Sequence, residues 1–197
     1  MIEYIKGEIV ELSPTLMIME WSGIGYELHI SLNTYSTFNG RKDAKVYVYE
    51  VIREDAHLLF GFATREEREL FLLLTSVSGV GPNTARMILS SLPPPELVNV
   101  IASGDDVSLT SVKGIGSKTA QRIVVDLKNK VKVAAGSVNE KGGSIHAGNN
   151  EAAEGAVAAL VMLGFQKAAS QKAVDSIIKK SPSLSVEQVI KDALKIL

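Results

Sequence analysis

The sequence predicts a multidomain α+β protein: an N-terminal OB-type β-barrel over residues 1–63, an all-α domain over 64–133, a flexible linker over 134–150 and a three-helix bundle over 151–197. Three observations predict it. Apolar residues alternate with period two up to about residue 63, the period becomes helical at Thr64, and a glycine-rich aperiodic stretch divides the helical part.

The barrel rests on Tyr26-Glu-Leu-His-Ile-Ser31 and Lys45-Val-Tyr-Val-Tyr-Glu-Val51, with shorter alternating runs at Ile2–Leu12, Leu16–Trp21 and Leu58–Phe62. Gly23, Gly25, Asn39 and Gly40 punctuate these runs as turn residues. Five short strands suffice for a small closed barrel, a fold often used on oligonucleotides, although fold alone assigns no function.

From Thr64 the signals are helical. Thr64-Arg-Glu-Glu67 has capping-box spacing and Leu70-Phe-Leu-Leu-Leu74 follows as a buried run. Further helices are expected after Gly81, after Pro93-Pro-Pro95 as far as Gly104, briefly after Asp106, and at greater length from Ser117. Residues 134–150 (AAGSVNEKGGSIHAGNN) carry four glycines and no periodicity, so burial cannot offset their ordering entropy. Beyond them lie helical patterns at Glu151–Leu163, Gln166–Lys180 and Val186–Leu197, set off by Gly164, Pro182 and a capping box at Ser185-Val-Glu-Gln188. A bundle this small is near the lower limit for independent folding, which suits a tethered docking module. Leu160, Leu163 and Phe165 are expected in its core.

Composition excludes several classes. With no cysteine, the chain has no disulfides, cysteine-based zinc sites or thiol nucleophiles. No apolar run is long enough to span a bilayer and Met1-Ile-Glu-Tyr-Ile5 lacks a basic signal start, so a cytoplasmic protein without membrane partners is expected. A net charge of −1 argues against binding nucleic acid merely by being basic, and the acid is concentrated: residues 1–63 hold five Lys/Arg against nine Asp/Glu.

Function enters through a repeat. Leu74-TSVSGVGPNTARMI-Leu89 aligns with Leu109-TSVKGIGSKTAQRI-Val124 at an offset of 35, with nine identities in sixteen positions. Each copy places Gly-apolar-Gly between a short helix and a longer one. A single such turn would be no more than a tight helix-to-helix connection; two copies suggest paired surfaces gripping something with its own repeat, such as the strands of a duplex. Val80 and Ile115 can anchor the hairpins in the core while flanking backbone N–H groups at a helix N-terminus face an anion, a contact that reads no base edge. Lys118 and Arg122, four apart, share a helix face and can add phosphate contacts.

This is a tandem helix-hairpin-helix signature, and the whole chain resembles the RuvA family. The resemblance rests on the hairpins Gly79-Val-Gly-Pro82 and Gly114-Ile-Gly116, on Val51-Ile-Arg-Glu-Asp-Ala56 and Leu59-Phe-Gly-Phe62 in the barrel, and on Ala158-Ala-Leu-Val-Met-Leu-Gly-Phe165 in a tail of UBA-like form. It implies a homotetramer, sometimes stacked as an octamer, that holds four-way Holliday junctions open in recombination, DNA repair and the SOS response. It also implies a hexameric ATPase partner, RuvB, bound within Glu151 to Leu197, and a resolvase partner, RuvC. Carried over, the DNA contacts fall on Gly79, Val80, Gly81, Asn83, Thr84, Gly114, Ile115, Gly116, Ser117, Lys118, Thr119 and Arg122. No cofactor or metal is implied.

Glu54 and Asp55 match the family's acidic pin. Taken alone, two acids at a strand turn are a solvated turn; the resemblance gives them a role, repelling phosphates where strands exchange. Asn83 stands where relatives often carry lysine, and Ser117 where the residue beside Lys118 is often basic. Fewer charges shift binding toward backbone N–H groups and flatten its salt dependence.

Catalytic alternatives fare poorly. Gly116-Ser-Lys-Thr119 lacks the adjacent Gly-Lys and the upstream glycine of a P-loop, since position 111 is serine. His29, His57 and His146 have neither metal-ligand spacing nor a partnered nucleophile. A helix-hairpin-helix glycosylase or nuclease would need a base pocket or carboxylate-metal centre, and Asp105-Asp106 sits where a helix cap is expected. The expectation is therefore a non-catalytic subunit, with a generic duplex-binding adaptor as the alternative.

Overall fold

The computed structural model describes residues 1–136, 148–181 and 184–197. The chain divides into two compact units, Met1–Asn139 and Glu140–Leu197.

In the first unit β1 (Tyr4–Ser13), β2 (Leu16–Trp21), β3 (Ile24–Ile30), β4 (Asp43–Ile52) and β5 (His57–Phe62) close a barrel in the order β1-β2-β3-β5-β4. All neighbours are antiparallel except β3 and β5, which run parallel. The period-two pattern turns Ile5, Met17, Met19, Leu28, Ile30, Val46 and Val48 inward. A register shift between Ile9 and Glu11 sharpens the curl of β1, and Gly7 lets β2 approach: a Cβ there would lie 2.2 Å from the Glu20 carbonyl oxygen. Ser22 and Gly23 make the β2–β3 turn with positive φ; Gly25, expected to punctuate, instead pairs with Glu20 inside β3.

Between β3 and β4 lies α1 (Leu32–Phe38), which the periodicity does not disclose because seven residues, LNTYSTF, are too few and too polar to show a stripe. Its cap is nevertheless written locally: the Ser31 hydroxyl accepts from the Thr34 N–H at 3.0 Å.

Five helices follow: α2 (Arg65–Thr75), α3 (Pro82–Ser91), α4 (Pro94–Ser103), α5 (Asp106–Thr110) and α6 (Ser117–Gly136). Thr64 caps α2, accepting from the Glu67 N–H at 3.1 Å. The reciprocal half of the capping box is diverted. The buried Glu67 carboxylate accepts from the Ser31 hydroxyl at 2.5 Å, the Thr34 hydroxyl at 2.7 Å and the Ala63 N–H at 3.2 Å, so α2 is tied to α1.

The barrel keeps its own interior cluster, but its β5 strand also joins the helical core. Phe60 and Phe62 of β5 stack on Phe71 of α2 with ring centroids 5.2 and 4.9 Å apart, and join one cluster with Leu74, Ile88, Leu97, Ile101 and Ile123. Arg68 completes the seam, donating to the Glu3 carboxylate at 2.7 Å and the Glu3 carbonyl at 3.0 Å; this guanidinium holds the Glu3 pKa below the usual carboxylate range.

The second unit packs α7 (Gly148–Met162), α8 (Lys167–Lys180) and α9 (Val186–Ala193) around Ala156, Val157, Leu160, Val174, Ile177 and Val189. Gly164 takes φ +98° at the first turn, and Ser185 caps α9. Leu160 is buried and Phe165 half-buried, but Leu163 is 60% exposed, contrary to expectation. The reason is local: α7 ends at Met162, so Leu163 leaves the buried stripe just where it would have continued it.

Helix occupies three residues at each end of the stretch read as a linker, because α6 runs through Gly136 and α7 starts at Gly148. The rest of that stretch, with His146, and Pro182 lie outside the described residues. Among the described residues no helix is long and apolar enough to cross a membrane.

Candidate nucleic-acid interface

The two repeats fold into hairpins of nearly the same geometry. In the first, Val77 N–H donates to Leu74 O at 3.1 Å and Val80 N–H to Val77 O at 3.0 Å; in the second, Val112 N–H donates to Leu109 O at 3.2 Å and Ile115 N–H to Val112 O at 3.0 Å. Gly79 and Gly114 take φ of +92° and +91°, a region that side chains disfavour, so the first glycine of each hairpin is a conformational requirement. Val80 and Ile115 are buried at 4% and 6% exposure, and pull each turn down onto the shared core.

The second glycines differ in kind. Gly81 and Gly116 accept the first intrahelical bonds of α3 and α6, from Ala85 at 2.9 Å and Ala120 at 3.0 Å, and so stand at the N-cap. Neither lies at positive φ, and a Cβ on either would meet nothing within 4 Å. Neither conformation nor packing demands glycine there. What the missing side chain leaves is an open approach to the hairpin amides: Gly79, Gly81, Gly114 and Gly116 are exposed, and their N–H groups have no hydrogen-bond partner among the described residues. Two helix N-termini with free amides form an anion-accepting surface.

The neighbouring side chains divide. Asn83, Ser117, Lys118 and Arg122 are exposed, while Thr84 and Thr119 are half-buried in the first turns of their helices. Arg122 already has a partner: its guanidinium donates to the Ser78 carbonyl at 3.1 Å, joining α6 to the first hairpin. Residue type does not announce Ser78, since its role lies in a backbone carbonyl.

Glu54 and Asp55 are exposed at the tip of the β4–β5 turn, which Arg53 N–H closes onto Ala56 O at 2.8 Å. Arg65 and Arg68 lie over Tyr47, Phe71 packs on Tyr49, and Val51 and Leu58 border the helical core. Helix α2 thus runs along the β4–β5 ribbon in the direction of the acidic tip, and the first hairpin follows it in the chain.

Other titratable groups have structural work. Asp105 caps α5, accepting from Ser108 N–H at 3.0 Å and its hydroxyl at 2.5 Å, bonds that hold its pKa below the usual range. His29 packs 5.5 Å from Phe60 and His57 lies 3.3 Å from the Glu50 carboxylate. Among the described residues no three His, Asp or Glu gather closely enough to hold a metal ion.

A closed five-stranded barrel fused to two helix-hairpin-helix motifs defines a class: proteins that present paired backbone-amide cradles from a rigid scaffold. Family models agree segment by segment, with the RuvA N terminal domain matching residues 1–61, the SAM-like helix-hairpin-helix tandem residues 71–129, and the RuvA C-terminal domain residues 151–197. The chain is 71% identical to the Holliday junction branch migration complex subunit RuvA of Parabacteroides distasonis, across 100% of both chains. It is 58% identical to that of Bacteroides fragilis over 99% of each, and 50% identical to that of Porphyromonas gingivalis over 100% of each. The chain belongs to the RuvA family.

Proposed function

We propose that this protein binds four-way DNA junctions by structure rather than sequence, holds them open, and recruits a hexameric ATPase that drives branch migration. The observation that carries the reading is the pair of matched hairpins, each with an exposed, unpartnered amide cradle, on one scaffold with an acidic tip. Amides at helix N-termini bind phosphate oxygens without reading bases, so affinity follows backbone geometry. The contacts fall on Gly79, Val80, Gly81, Asn83, Thr84 and their counterparts Gly114, Ile115, Gly116, Ser117, Lys118 and Thr119, with Arg122 beside them. Val80 and Ile115 contribute by fixing the turns that present the neighbouring glycine amides, because their side chains are buried and their own N–H groups donate to the Val77 and Val112 carbonyls.

Four copies around an axis would bring their Glu54 and Asp55 carboxylates together, where they repel phosphates and disfavour continuous duplex across the centre. The protein works as a homotetramer or stacked octamer, as a non-catalytic subunit whose ATP hydrolysis comes from a RuvB-type partner, and delivers junctions to a RuvC-type resolvase. Val161, Met162 and Leu163, exposed at 41%, 89% and 60% at the end of α7, support a docking role for the last unit.

The test is a competition gel shift: labelled four-way junction challenged with excess linear duplex of the same arm sequence, in moderate salt and without nucleotide. Junction binding should persist and be indifferent to arm sequence. Equal competition by duplex would reduce the protein to a generic helix-hairpin-helix adaptor.

A further inference from the structure

The two repeats are alike at the hairpins and unlike one turn further on. At the fifth residue beyond the second glycine the first repeat has Arg86 and the second has Gln121. Gln121 is exposed on α6. Arg86 instead turns into the barrel, where one guanidinium nitrogen donates at 3.2 Å to both the Thr15 carbonyl, in the β1–β2 turn, and the Ile30 carbonyl, at the end of β3. One turn on, Ser90 accepts from the Leu32 N–H of α1 at 3.1 Å while donating back to the Arg86 carbonyl at 2.8 Å. Its counterpart, Val125, is 77% exposed. One face of α3 is therefore bolted to the barrel, and the equivalent face of α6 is not.

This attachment is unusual for a charged group. Arg86 Nε is buried without a hydrogen-bond partner, no carboxylate pairs with the guanidinium among the described residues, and desolvation draws its pKa below the ordinary arginine value. A cation meeting only carbonyl dipoles is a poor choice for stability alone. Its geometry is a better one for register, because a guanidinium nitrogen shared between the β1–β2 turn and the end of β3 fixes α3 against two separate points of the barrel.

We infer that Arg86 is a positioning residue for junction recognition, an assignment that rests on the function proposed above. It sets the first hairpin, which opens α3, against the barrel that carries Glu54 and Asp55. The Arg122–Ser78 bond then passes that setting to the second hairpin. Duplex needs only the hairpins. A junction needs the hairpins and the acidic tip in fixed relation, so loss of Arg86 removes selectivity while leaving duplex binding.

The experiment compares the full chain with Arg86→Met, which keeps the apolar stem, and Arg86→Lys, which keeps a charged donor without the planar guanidinium. Duplex affinity is expected within about twofold of the parent in both, and the junction-to-duplex preference is expected to fall about tenfold or more in Arg86→Met, with partial rescue in Arg86→Lys. Because the chain has no cysteine, spin labels placed through Glu20→Cys and Ser111→Cys, diluted with unlabelled subunits, measure the barrel-to-hairpin distance without DNA. That distribution should broaden in Arg86→Met. An unbroadened distribution in a folded variant overturns the assignment whatever the DNA result. A broadened distribution with undiminished preference, or with junction and duplex affinity falling in parallel, overturns the link to selectivity. A parent chain that itself shows no junction preference overturns the function proposed above and leaves the distance measurement to judge Arg86 as a barrel tether.

Discussion

The guanidinium of Arg122, on α6, donates to the carbonyl of Ser78, in the other hairpin, at 3.1 Å. A residue of the second repeat thereby holds the turn of the first. Its counterpart at the offset of 35 is Met87, so the bond has no symmetric mate and the two cradles are locked by one side chain.

Arg122→Met should therefore weaken junction binding more than Lys118→Met, although each removes one charge. Both should flatten the slope of log affinity against log salt by about 0.9 for each phosphate left without its cation. Only the Arg122 variant should show a further drop in affinity that persists at high salt. Titrations at several salt concentrations measure both quantities, and an equal weakening in the two variants would mean Arg122 acts as a charge alone.

The two glycines of a hairpin should respond differently to substitution. Gly114→Ala places a Cβ at φ +91° and should destabilise the fold by about 1–2 kcal/mol. Gly116→Thr puts a tolerated N-cap residue into open space, so stability should change by no more than about half a kcal/mol. Its side chain nevertheless obstructs the amides, and junction affinity should drop at least about tenfold. Urea unfolding beside gel shifts separates the two effects; unchanged affinity for folded Gly116→Thr would remove the second hairpin from the interface.

Neutralising the tip by Glu54→Gln with Asp55→Asn should raise duplex affinity and narrow the junction preference, with no loss of stability, because both side chains are exposed. Competition between junction and duplex reads the change. An unaltered ratio and an unaltered rate of motor-driven migration would leave the acids without a role in recognition.

Phe71→Ala should cost about 3–5 kcal/mol, the usual range for a buried phenylalanine. Since Phe71 touches Phe60 and Phe62, barrel and helices should still unfold together, and at lower denaturant. Trp21 fluorescence reports the barrel and far-ultraviolet dichroism the helices. Two separated transitions in the parent would contradict a shared core.

Acid should weaken the seam at Glu3. Its pKa is depressed by the Arg68 guanidinium, so its contribution is complete above the unfolded carboxylate pKa of about 4.3 and disappears as pH falls through the lower folded value. Glu3→Gln should accordingly melt below the parent at neutral pH, with the gap closing below about pH 4. A gap that stays constant from neutral pH down through the carboxylate range would show that the ion pair adds nothing.

Much of this protein is determined by short-range pattern. Alternation in Lys45–Val51, the duplicated Gly-apolar-Gly and the caps at Thr64, Asp105 and Ser185 each depend on residues within a turn or a strand of one another, so the elements and the hairpin amides are legible in the chain itself. Tertiary structure decided what those elements do together. Period and spacing do not disclose that Glu67 abandons its capping box for Ser31 and Thr34, that Arg86 reaches Thr15 and Ile30, or that Arg122 finds Ser78, because each bond spans more than thirty residues to a hydroxyl or carbonyl that local sequence leaves unmarked. Leu163 shows the same limit in reverse: its apolar character and spacing from Leu160 point inward, and only the end of α7 at Met162 turns it out to solvent.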